Sequence, residues 1–403
     1  MVPADVAWML ASAALVLLMT PALAFFYGGL VRSTNALNTM MMSFVALAFV
    51  AIAWALLGYS LAFGEGSSLV GDLSMVFLRG VDLEPNGTIP HVLFMSYQGT
   101  FAIITAALIS GAIVERMRFS AYIVFITLWS LVIYAPVAHW VWGGGLLSRL
   151  GENGALDFAG GTVVHVNAAA AALVAVIAVG PRRGERSGIL PHNVPFTLLG
   201  AGVLWFGWFG FNAGSALGAN ESAALAFTTT MLAPAGTLAG WVLLDFIRGK
   251  NPTAVGGATA IVVGLVAVTP AAGFIGPMSA IVLGLVAAPC SYYAVQWRAR
   301  TTFDDSLDVV AAHGVGGTVG ALLTGVFASA AWNGSADGLL FGNPAQLGIQ
   351  AIAVAGTWVF SGVGTFILLK LIGLVIPLRA DAGDEDLGLD MSQHGEEAYA
   401  RPE

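Results

Sequence analysis

The chain has 403 residues, 58% of them hydrophobic and only 9% charged, with a net charge of −8. Soluble domains carry charge on about a quarter of their residues, so a soluble core is excluded, and nothing in the basic residues forms a nucleic-acid footprint. Apolar runs recur at lengths that cross hydrocarbon, about 20 helical residues each, which defines an all-α integral membrane protein. The 51 glycines agree, because small residues let membrane helices approach closely. One cysteine, Cys290, excludes an internal disulfide and speaks against a cysteine-ligated metal.

The start, Met1-Val2-Pro3-Ala4-Asp5, has no basic segment, so the first apolar run reads as a permanent span and not as a removable leader. Eleven transmembrane helices are predicted, at about 6–30, 40–63, 93–114, 119–138, 161–180, 194–214, 222–247, 254–271, 274–295, 308–330 and 346–375. Arg32, Arg116, Arg118, Arg182, Arg183, Arg186, Arg248, Lys250, Arg298, Arg300 and Arg379 fall in alternate loops or the tail, and Lys370 lies near the same end of the last span. Only Arg79 and Arg149 lie on the other side. The positive-inside rule then puts the N-terminus outside and the C-terminus in the cytoplasm. The membrane domain spans 1–376, and a tail, 377–403, holds eight of the 23 acids, among them Glu403. Composition alone reads this tail as disordered, yet its run Leu387 to Tyr399 is more specific than a solubilising segment requires.

Two stretches carry the chemistry. Asp157-Phe158-Ala159-Gly160-Gly161-Thr162-Val163-Val164-His165 lies in the fifth span, and Asp308-Val309-Val310-Ala311-Ala312-His313 followed by Gly316-Gly317-Thr318 lies in the tenth. Equal positions in two five-helix halves, about 6–180 and 194–330, imply an inverted repeat, with the eleventh helix, about 346–375, appended. An ionisable side chain at membrane depth is costly and faces a cavity or a partner. The two histidines are expected to pair ring to ring, sharing one proton and lining a pore, where they can donate to or accept from a small polar permeant. As a metal site they lack a third ligand. Asp157 precedes a helical run, where it can cap the N–H groups of Ala159 and Gly160. As a fixed charge it would also attract cations, and Asp308 holds the matching place before span ten.

Three aromatic stretches map to the outer mouth: Gln98-Gly99-Thr100-Phe101, His139-Trp140-Val141-Trp142, and Trp205 through Phe211 to Ser215. Aromatic residues at a membrane interface serve as anchors. Gathered with a hydroxyl such as that of Ser215, they would instead bind a small cation through their faces plus one hydrogen bond.

Together with Phe25-Phe26-Tyr27-Gly28-Gly29-Leu30 and Trp208-Phe209-Gly210-Phe211-Asn212, these motifs resemble the ammonium transporter family, Amt with its relatives Mep and the Rhesus proteins, over nearly the whole chain. The resemblance implies an outer ammonium site of Phe101, Trp142 and Ser215, and a stacked gate of Phe101 and Phe211. It also implies Trp208, His165 and His313 along the pore, with Asp157 as a structural aspartate. A homotrimer in the plasma or inner membrane and a cytoplasmic tail open to a PII-type signalling protein follow from the same likeness. Trp142 favours the Amt branch over the Rhesus branch. No enzyme activity, cofactor or metal is implied. The function so read is transport of ammonium, with methylammonium as its analogue, by deprotonation outside and passage of ammonia through the histidine-lined pore, with the proton expected to cross too. An ammonium sensor and an electroneutral ammonia channel are the alternatives.

Overall fold

The structure, a computed structural model, describes residues 1–183 and 190–399; Arg186 and Glu403 of the sequence argument lie outside them. Among the described residues ten helices are long and apolar enough to cross a membrane: α1 Pro3–Gly28, α2 Ser33–Phe63, α3 His91–Ile113, α4 Phe119–Val141, α5 Gly161–Val179, α6 Val194–Ala216, α7 Glu221–Ile247, α9 Pro277–Arg298, α10 Val310–Phe327 and α11 Pro344–Gly373. The expected span at 254–271 appears as α8, Ala254–Val268, whose 15 residues are shorter than the others. Its C-terminal neighbours Thr269 and Pro270 leave the helix, because proline cannot donate into the ladder.

Local chemistry sets the helix starts. Proline stands at the first turn of α1, α6, α9 and α11, where its missing N–H costs nothing. Asn193, Asn220 and Thr253 accept from Phe196, Ala223 and Gly256 at the starts of α6, α7 and α8. The outward faces are apolar, with Leu17, Phe44, Ile52, Leu243, Phe246 and Val359 all exposed, the reverse of a soluble surface. Polar groups turn inward, and many satisfy themselves on their own helix, as Thr105 does on the Phe101 carbonyl at 2.6 Å.

Helices α1 and α6 pack along most of their length. Glycine makes that possible: a Cβ at Gly200 would stand 2.4 Å from the Phe26 backbone nitrogen. Helices α5 and α10 meet in the same way near their histidines, where a Cβ at Gly317 would stand 3.1 Å from His165 Cβ. Both helices begin with a π-helical turn, Gly161–Val166 and Val310–Val315, and each turn carries one histidine. Such turns widen the helix and present side chains that a regular α-turn would hide.

The tail is built structure, contrary to what its composition implies. Ala382–Leu387 and Leu389–His394 form short helices, α12 and α13. Asp390 accepts from the N–H groups of Leu37 at 3.0 Å and Asn38 at 2.7 Å, at the start of the α-helical part of α2. Gln393 accepts from Phe119 N–H at 2.7 Å, at the first residue of α4. Asp390 thus caps a helix N-terminus, where negative charge is favoured, and the Gln393 amide serves another. Arg379 donates to Glu385 at 2.8 Å and holds the turn between membrane domain and tail.

Candidate functional site

A line of side chains runs down the middle of the bundle. At one end a cavity of about 300 Å³ is bounded by Gln98, Phe101, Trp142, Phe158, Ser215 and Leu217. The Phe101 ring stands edge-on to Trp142, with centroids 5.9 Å apart and planes at 90°. The Trp142 indole donates to the Asp157 carbonyl at 2.9 Å, which fixes its plane. Ser215 donates to the Phe211 carbonyl at 2.9 Å, so its lone pairs remain able to accept. Three residues expected for the aromatic mouth, Phe101, Trp142 and Ser215, are therefore brought together on one cavity. Others of the aromatic run are not. Phe206 is exposed, and Phe209 stacks on Phe227 with centroids 4.2 Å apart, away from this cavity.

Phe101 and Phe211 close the floor of that cavity. Their rings stack at 4.2 Å with planes 23° apart, and both are buried. Tyr97, which the sequence reading did not single out, holds the Phe211 backbone through its hydroxyl, 3.0 Å from the Gly210 carbonyl and 2.9 Å from that of Phe211.

Beyond the phenylalanines the cavity is small. Its free volume is about 10 Å³, bounded by His165, His313, Trp208 and Phe211 among apolar residues such as Ile104 and Leu108. That is at most the room for one water molecule. His165 Nδ1 stands 3.1 Å from His313 Nδ1. One of the two must donate and the other accept, so when both rings are neutral a single proton lies between them. The consequence is asymmetric: one outer nitrogen carries hydrogen and the other a lone pair. His165 Nε2 has no protein partner, and the ring lies flat against Trp208, with planes 22° apart. Trp208 is itself held by a 2.9 Å bond from its indole to the Thr269 hydroxyl.

Asp157 takes part as a cap, and a fuller one than its position implied. Its carboxylate accepts from the N–H groups of Gly160, Gly161, Thr162 and Val163, at 2.7, 2.6, 2.7 and 3.2 Å, and from the Thr162 hydroxyl. Ala159 is not among them, because Gly160, at φ 114°, turns the chain before the helix starts and moves the free N–H groups one residue on. The match in the second half is corrected as well. Asp305, not Asp308, accepts from Val309 and Val310 at 3.1 and 2.7 Å. Asp308 is left-handed, at φ 59°, and pairs with Arg298 at 2.7 Å. The signal was available: Asp157 stands eight residues before His165, as Asp305 does before His313.

At the tail end a second cavity, about 380 Å³, is bounded by Arg182, Arg298, Asp304, Ser306 and Asp308. Here charge replaces aromatic surface. Arg182 bridges Glu115 at 2.9 Å and Asp304 at 2.8 Å. Burial raises the Asp304 carboxyl, but the bonds and charge of Arg182 outweigh it and bring it down to about 2. The guanidinium of Arg116 is wholly enclosed and donates to the carbonyls of Ala112, Val114, Gly180 and Asp304 and to the Ser306 hydroxyl.

Fold and site together define a polytopic helical membrane protein with an aromatic cavity at one end, a buried histidine pair at its middle and a charged cavity at the other end. Its kind is settled by comparison. The model of the Ammonium Transporter Family matches residues 7–399, and the chain belongs to that family. It is 47% identical over 400 residues to an ammonium transporter of Bacillus subtilis, covering 98% of both chains. To Amt1 of Archaeoglobus fulgidus it is 46% identical over 399 residues, covering 98% of this chain and 99% of the relative. The crystal structure of Candida albicans Mep2 superposes with a TM-score of 0.90 at 35% identity, covering 99% of this chain and 90% of that one. A protein described as a sensor Amt protein superposes at 0.89 with 31% identity, covering 97% and 98%. This chain is an ammonium transporter, a multi-pass membrane protein and not an enzyme.

Proposed function

We propose that ammonium is recruited at the aromatic mouth, gives up its proton there, and passes as ammonia along the histidine-lined lumen. Phe101, Trp142 and Ser215 form the recruiting site, Phe101 with Phe211 the gate, and Trp208, His165 and His313 the pore wall. The observation that carries this reading is the order along one line: an aromatic cavity, a stacked phenylalanine pair, then a narrow space bounded by apolar side chains and the two histidines. Potassium and ammonium are alike in size and charge, so aromatic faces alone do not separate them. Ammonium can lose a proton and potassium cannot. A path that admits only the neutral form selects for that difference, because moving a bare charge through hydrocarbon is costly. The shared proton of the histidine pair leaves one acceptor and one donor facing the lumen, which matches ammonia, itself an acceptor and a donor. The proton crosses through the same pair, and transport is electrogenic.

In this reading α8 completes eleven spans, and residues 6–180 and 194–330 form two inverted five-helix halves, with α11 appended. The paired π turns and their aspartates at equal spacing support the repeat. The aromatic mouth faces outward and the basic end inward, across the plasma or inner membrane. The working unit is a homotrimer in lipid. Residues 1–376 are the transport domain, and 377–403 form a regulatory tail open to a PII-type protein.

The test is current on a solid-supported membrane after an ammonium jump. The native protein is expected to give ammonium current and none with potassium. Replacing both His165 and His313 by leucine is expected to abolish that current. Unchanged current and selectivity in the double variant would overturn the relay, and binding without flux would make the protein a sensor. Flux without current would make it an electroneutral channel.

A further inference from the structure

We propose that His139 stands at the outer mouth as an imidazolium that donates from both ring nitrogens, and that this ring positions Trp142 for the ammonium site. His139 is fully buried near the end of α4, three residues before Trp142. Its Nδ1 lies 3.0 Å from the Ala62 carbonyl and its Nε2 2.7 Å from the Ser67 carbonyl. Carbonyl oxygens only accept. A neutral imidazole has one N–H and one lone pair, so it would satisfy one carbonyl and set its lone pair against the other. Both contacts are hydrogen bonds only when both nitrogens carry hydrogen.

The surroundings are built for such a ring. The Ala62 carbonyl lies in the last turn of α2, among groups that lack helical partners and carry the negative end of the helix dipole. Gly143 and Gly145 wrap the imidazole closely: a Cβ would stand 2.7 Å from His139 Nδ1 at the first and 2.8 Å from Cδ2 at the second. The N–H groups of Gly143 and Gly145 donate to the His139 carbonyl at 3.1 and 2.9 Å. Trp140 donates to the Leu69 carbonyl at 2.8 Å, and Leu146 N–H to that of Ser68 at 2.8 Å. The ring therefore fastens three pieces of chain: the end of α2, the loop that follows it, and the glycine turn that carries Trp142. Its immediate partners are carbonyls and not carboxylates, so the positive charge is held by dipoles alone.

The role for Trp142 rests on the outer site described above, whereas the proton count of the ring does not depend on it.

Nitrogen-15 NMR of histidine-labelled protein in lipid nanodiscs at neutral pH tests the proton count on the unaltered chain. The His139 signals are assigned through the His-Trp pair, which occurs nowhere else in the sequence. Both ring nitrogens are expected to be protonated, and a single unprotonated nitrogen would overturn the proposal. For position, His139→Phe is expected to raise the apparent KM for methylammonium severalfold with a smaller change in maximal flux. His139→Gln, which restores one donor without charge, is expected to recover part of the loss. If His139→Phe does not fold, the glutamine variant alone is read against the native protein. An unchanged KM in the variant that folds would overturn the positioning role. If Trp142→Leu and Ser215→Ala leave KM unchanged while the NMR shows two protonated nitrogens, the outer-site reading fails and the imidazolium stands.

Discussion

The two aspartate–histidine segments begin alike and end in different surroundings. Asp157 and Asp305 each stand eight residues before their histidine and each caps a π-helical turn. Asp157 serves four backbone N–H groups and a hydroxyl, whereas Asp305 serves two N–H groups and has Asp308 and Arg298 nearby. Two segments can therefore share the same cap geometry while standing in different electrostatic surroundings. The aromatic end has an uncharged lining, and the basic end is a mesh of ion pairs.

The largest expected effect comes from removing the heavier cap. Asp157→Ala leaves several buried donors unpaired, each costing about 1–3 kcal/mol, so little folded protein is expected by size exclusion after detergent extraction. Asp305→Ala, with fewer donors released, is expected to yield folded protein of lower thermal stability. Equal damage from both would break the comparison.

A smaller effect concerns pH. Burial, reinforced by Asp308, pushes the Asp305 carboxyl up to about 7, against the pull of its two backbone N–H bonds and Arg298. The folded state then holds a proton that the unfolded state has lost between about pH 4 and pH 7. Stability from this group is full below the unfolded pKa and falls as pH rises through that window. Asp305→Asn is expected to flatten the fall in a thermal-shift series, and an identical slope in the variant would remove Asp305 as its source. Smaller again is Asp390→Ala. It removes one cap from α2 and is expected to cost about 1 kcal/mol, read as a modest drop in melting temperature with the α5 and α10 segments untouched. The least effect is expected from Arg298→Gln, because its pair with Asp308 is part-exposed and such pairs contribute about 0–1 kcal/mol.

Much of this was legible in the chain. Apolar length places ten helices within a few residues, and two costly histidines in apolar company are expected to meet, as they do at 3.1 Å. The gathering of Phe101, Trp142 and Ser215 came from family likeness more than from spacing, since aromatics at a membrane edge are commonplace. Asp308 was mistaken for the cap because it directly precedes the apolar run, while the left-handed turn that diverts it leaves no mark in composition. Tyr97 and His139 act on backbone carbonyls, and such partners cannot be read from side-chain patterns. The tail was opaque for a related reason: its contacts reach residues far away in sequence, 353 positions from Asp390 to Leu37 and 274 from Gln393 to Phe119.

That distance bears on biosynthesis. Helices α2 and α4 enter the membrane early in synthesis, yet their N-terminal groups near Leu37, Asn38 and Phe119 meet their partners only when residues 390–393 leave the ribosome. Until then these ends depend on water for hydrogen bonds. A stretch of chain made late thus completes helices inserted early, and a polypeptide that stops before residue 390 would present those helix ends uncapped.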